Sequence, residues 1–93
     1  MTETAIRARI EGKVQNVWYR AWTTQAAAER GLRGWVRNRA DGSVEALFIG
    51  PAGAVRAMIE SCRAGPPAAR VTRIVESLDA DDASAGFRQL PTV

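Results

Sequence analysis

The chain has 93 residues, 46% hydrophobic and 25% charged, with a net charge of +3 from 12 Arg and one Lys against 10 acids. That length and composition fit one globular domain over residues 1–93. There is no histidine and only one cysteine, Cys62, which excludes His-based acid–base and triad catalysis, His-ligated metals, multi-cysteine zinc or iron–sulfur sites and an intrachain disulfide. No apolar run approaches the roughly 18 residues of a membrane span. The N-terminal MTETAIRARIEG lacks the apolar stretch of a signal peptide. A lone thiol fits a reducing compartment, so the expected location is the cytoplasm.

Ala5 to Glu11 alternates, with Ile6, Ala8 and Ile10 on one face and Arg7, Arg9 and Glu11 on the other. Period two with one wet face predicts a half-buried strand, ended at Gly12. Lys13 to Tyr19 is too polar and irregular to continue it. From Arg20 the Ala-rich RAWTTQAAAERGL reads as a helix, with Trp22, Ala26 and the Glu29 stem near one stripe and Gly31 as its stop.

Gly34–Arg39 and Ser43–Gly50 flank Ala40-Asp41-Gly42, a strong hairpin signal because Asp and Gly tolerate positive φ. Pro51 suits a first helical turn. Val55, Met58, Ile59 and Cys62 then fall at i, i+3, i+4 and i+7, the buried stripe of an amphipathic helix. Gly65-Pro66-Pro67 breaks that helix. The β-branched Val71–Leu78 reads as a last long strand of ambiguous facing, and Gly86–Leu90 adds a short strand through Phe87.

The order strand–helix–strand–strand–helix–strand predicts an α+β, ferredoxin-like βαββαβ sandwich. Two helices cover one face of an antiparallel four-stranded sheet, with room for a short fifth strand. Fold alone does not choose a function.

The segment from Gly12 to Arg20 carries the chemistry. A strand-to-helix loop lets successive N–H groups form an anion-binding nest at a helix N-terminus. Arg20 there adds a permanently charged fork suited to phosphate oxygens. Spacing alone leaves open a plain connection with a surface arginine. Trp18, Trp22 and Trp35 read as core aromatics and Cys62 as core. Asp79, Asp81 and Asp82 read as a solvated loop and are the only dense candidate for a carboxylate metal site. The Arg30, Arg33, Arg37 and Arg39 stretch around Trp35 reads as solvated charge or a general phosphate field.

The loop resembles the acylphosphatase signature, in which G-x-V-Q-G-V, an aromatic and Arg form a phosphate cradle. The family's G-W-V-x-N run followed by D-G appears as Gly34-Trp35-Val36-Arg37-Asn38 and Asp41-Gly42, and its G-P-P segment as Gly65-Pro66-Pro67. The resemblance spans about Ala5 to Phe87. It implies hydrolysis of a small acyl phosphate to carboxylate and inorganic phosphate, without metal or other cofactor. Arg20 and the loop Gln15, Asn16, Val17, Trp18, Tyr19 and Arg20 would hold the phosphate or another anion. Asn38 would orient the attacking water. One departure stands out: Asn16 replaces the family's common Gly, and is expected at positive φ as the next most tolerant residue there.

Two alternatives follow from particular residues. A nucleic-acid-binding module would use the basic stretch, although the closely spaced aromatics of the RNA-recognition signature are missing. A weakened, anion-binding family member would follow from Asn16. A monomer without membrane attachment is the expected state.

Overall fold

The computed structural model describes residues 3–93. The alternating segment forms the centre of β1 (Glu3–Lys13), longer than expected at both ends. The loop then leads into α1 (Tyr19–Glu29), followed by β2 (Arg33–Asn38) and β3 (Val44–Pro51). After α2 (Ala52–Cys62) come β4 (Arg70–Leu78) and the three-residue β5 (Phe87–Gln89). The ferredoxin-like expectation holds in its element order.

The strands lie in the order β4-β1-β3-β2-β5. β1 pairs antiparallel with β3 and β4, and β2 antiparallel with β3. β5 runs parallel to β2, with Gly34 opposite Phe87. The sheet is therefore five-stranded and mixed, a correction to the purely antiparallel expectation. The chain leaves β4 at one edge and returns to the other edge travelling with β2, where Phe87 stacks on Phe48 at 5.6 Å.

Ala8, Ile10, Val36, Val44, Ala46 and Phe48 face both helices and share one core with them. Val55, Met58, Ile59 and Cys62 are fully buried, so the α2 stripe is as expected. Burial pushes the Cys62 thiol up to about 12, which makes it an inert core group. In α1 the buried stripe is Tyr19, Thr23 and Ala27, while Trp22 and Ala26 are half-buried and Glu29 is exposed. Thr23 is tolerated inside because its hydroxyl donates to the Tyr19 carbonyl at 2.8 Å. Pro51 closes β3 and precedes α2 with φ −56° and ψ 137°, outside the first helical turn.

The ambiguous facing of β4 has a cause. Arg73 pairs with Glu11 and Val71 with Gly12, so Thr72 is an extra residue, a β-bulge. The bulge brings Val71 and Ile74, three apart, onto the same core. The sheet's second face buries Ala5, Trp35, Leu47 and Ile49, with Leu90 packed against them. Arg7 and Arg37 lie over the Trp35 ring at 5.6 and 4.6 Å.

Candidate active site

The link between β1 and α1 is held by its buried residues and presents the others. Val14 and Val17 are buried in the core. Asn16 and Trp18 between and beside them are exposed, at φ 61° and 66°. Left-handed residues on either side of an ordinary one turn consecutive N–H groups toward a common hollow. Asn16 thus takes the positive φ expected of it.

Trp18 is also the N-cap of α1. No side chain caps that helix and its first turn has no acidic residue. Its opening N–H groups and dipole are therefore left for an anion. The following residue, Tyr19, anchors the turn: its hydroxyl donates to the Cys62 carbonyl at 2.6 Å, and burial raises its pKa well above the ordinary tyrosine value. Gly65, at φ +63°, makes room for that ring, since a Cβ there would lie 2.6 Å from Tyr19 Cε2.

Gln15 turns away from the hollow. Its amide nitrogen donates to the carbonyls of Arg39 at 2.8 Å and Ser43 at 2.9 Å. Both flank the expected hairpin turn, where Gly42 has φ 95° and Asp41 accepts from the Ser43 amide and hydroxyl. The loop is thereby tied to the end of β2, which carries Asn38.

Asn16, Trp18, Arg20 and Ala21 meet Asn38 and Gln89 around a cleft of about 480 Å³, also lined by Val14 and Tyr19. Two features of the cleft stand out. Among the described residues Arg20, like Arg30, Arg70, Arg73 and Arg88, makes no ion pair, and it is the one of these five that lines the cleft, whereas Arg7, Arg33, Arg37, Arg39 and Arg56 all meet carboxylates. Asn38 Oδ1 is buried with no hydrogen-bond partner, an uncommon and costly state. A guanidinium, a helix terminus and the Asn38 side-chain amide around one cleft can bind an oxyanion and hold a water beside it.

Of the loop residues singled out in the sequence, Asn16, Trp18, Tyr19 and Arg20 line the cleft with Asn38, while Gln15 and Val17 do not. Trp18 is 82% exposed rather than a core aromatic. Gln89 went unnoticed in the sequence, because nothing local signals that β5 lies beside β2.

The other charged features singled out in the sequence have partners of their own. Arg33 pairs with Asp81 at 2.6 Å, Arg37 and Arg39 meet Glu45 at 2.7 and 3.3 Å, and Arg30 donates to the Ser61 hydroxyl. The basic stretch is thus divided among several partners. Asp79 meets Arg7 at 2.8 Å, and Asp82 accepts from the Trp35 indole and the Ser84 hydroxyl. Those three aspartates form no metal-holding group among the described residues.

Comparison with known proteins gives a consistent result. The sequence model of the Acylphosphatase family matches residues 6–89. A relative from Rhizorhabdus wittichii named Acylphosphatase is 56% identical over 93 residues, covering 96% of this chain and 90% of its own length. One of the same name from Rhodospirillum rubrum is 56% identical over 85 residues, covering 91% and 93%. The solved structure of an acylphosphatase from Coxiella burnetii superposes with a TM-score of 0.91 at 32% identity, covering 95% of this chain and 93% of that one.

Proposed function

The chain belongs to the acylphosphatase family and is an enzyme that hydrolyses acyl phosphates, and we propose that Arg20 and the Gln15–Arg20 backbone hold the phosphoryl group while Asn38 orients the attacking water. The unpaired Arg20 beside the uncapped start of α1 is the observation that carries this reading. Phosphoryl oxygens would accept from the guanidinium and from the loop N–H groups, which are preorganised by Asn16 and Trp18. Charge-assisted bonds of this kind contribute roughly 1.5–3 kcal/mol each.

The carboxyl–phosphate anhydride is already activated, since its leaving group is a stable carboxylate. Water adds to phosphorus, the bridging P–O bond breaks, the carboxylate leaves with the electron pair, and the protons of the water stay on the oxygens of the inorganic phosphate. Placement and stabilisation of oxygen charge then supply most of the catalysis. An amide is a poor base, so Asn38 acts by geometry. Its side-chain amide lines the cleft and would hold the water with a lone pair toward phosphorus. The same reading makes the protein a cytoplasmic monomer, acting as one domain without metal or other cofactor and accepting inorganic phosphate in the loop.

The test is hydrolysis of benzoyl phosphate by the purified protein and by Arg20→Ala. Turnover should fall by at least about 10²–10³ on losing a preorganised donor. Unchanged rate and Michaelis constant would remove Arg20 from the site.

A further inference from the structure

Trp18 is the largest exposed apolar surface at the cleft, and the fold gives it no partner. Its indole is 82% exposed. Among the described residues it faces neither an aromatic ring nor a cation: the ring pairs are Tyr19 with Trp22 and Phe48 with Phe87, and both guanidiniums over a tryptophan lie on Trp35. Its backbone sits at φ 66° and ψ 21°, a conformation costly for a bulky residue. Glycine would satisfy that backbone better. Core packing therefore does not explain an indole at this position.

The cleft does explain it. Trp18 lines the same hollow as Arg20 and Asn38. With the phosphoryl group in the loop, an acyl group extending toward the open side would meet Trp18. Gln89 lines that cleft too, paired in register with Val36 two residues before Asn38. We infer that Trp18 is an acyl-recognition surface and gives the enzyme a preference for acyl phosphates with flat aromatic acyl groups over those with small ones. A planar ring laid against the indole buries apolar area and gains an aromatic contact, while a methyl group covers little of it. Gln89 adds an amide for polar substituents on the acyl group.

This inference rests on the acyl-phosphate reading of the cleft and is tested by a ratio. kcat/KM is measured for benzoyl phosphate and acetyl phosphate with the wild type, Trp18→Gly and Trp18→Phe. Glycine removes the indole while suiting the positive φ, so the loop keeps its conformation. The benzoyl-to-acetyl ratio should fall about fivefold to tenfold in Trp18→Gly, mainly through KM, and be largely restored in Trp18→Phe. A ratio unchanged in Trp18→Gly would overturn the inference. So would a fall that phenylalanine fails to restore. No hydrolysis of either compound by the folded wild type would overturn the underlying reading itself, a result distinct from an unchanged ratio.

Discussion

Gln15 donates to the main-chain carbonyl of Arg39 at 2.8 Å, fastening the loop before α1 to the turn that follows Asn38. The second bond of the same amide, to Ser43 at 2.9 Å, leaves Gln15 no freedom to turn toward the cleft. The spacing between the loop and Asn38 across the cleft thus depends on a side chain that does not line it. Gln15→Ala should lower stability by about 1–2 kcal/mol, because two side-chain bonds are lost while the Arg39 and Ser43 carbonyls keep the Gly42 and Arg39 amides as donors. It should also lower kcat more than it weakens phosphate binding. Denaturant titration and phosphate inhibition measured side by side will separate these effects.

Asn38→Ala should reduce kcat by about a hundredfold while shifting the phosphate inhibition constant by less than about threefold. The asymmetry follows from a group that places water rather than the ligand. Equal losses in both quantities would make Asn38 a ligand-holding or structural residue.

Asn16 already occupies φ 61°. Asn16→Gly should therefore change turnover by less than about threefold, since the backbone it would free is already in place. Steady-state kinetics of the variant decides the matter. A gain of more than about tenfold would show the Asn16 side chain crowding the cradle.

Acid should loosen the loop between β4 and β5. Asp81 is held below the ordinary carboxylate value by its bond from Arg33, Asp82 by the Ser84 hydroxyl, and Asp79 by the Ala80 amide. A carboxylate with a lowered native pKa stabilises the fold fully above its unfolded value of 3.8. That contribution disappears as pH falls through the lower native value. Thermal midpoints should hold steady above about pH 5 and drop below about pH 4, with a smaller drop in Asp82→Asn.

Much of this arrangement can be read along the chain. The β1 alternation, the Asp-Gly hairpin and the α2 stripe are local patterns, and each forms where its period places it. The cleft is legible in part, because Arg20 and Asn38 lie in runs whose spacing resembles a known family. What escapes local reading depends on distant partners. Alanine hides the period of α1, so the buried role of Thr23 emerges only from its bond to Tyr19. The extra residue Thr72 is defined only against Glu11 and Gly12. Trp18 looks like core in the sequence, and only the packing around the loop shows it exposed. Gln89 reaches the cleft through a parallel pairing that no turn sequence announces.

The placement of β4 beside β1 also sets a timetable for assembly. Ile6 is opposite Leu78 and Ile10 opposite Ile74, so β1 waits for a strand more than sixty residues further along the chain to complete its hydrogen bonding. Closing such distant pairings costs chain entropy before any contact repays it, which slows folding relative to helical proteins of this size. Until β4 arrives, one side of β1 is an open template for another chain's strand. The early hairpin of β2 and β3 can cover only the other side. For a nascent chain, the interval of greatest exposure to mispairing ends when Arg70–Leu78 docks.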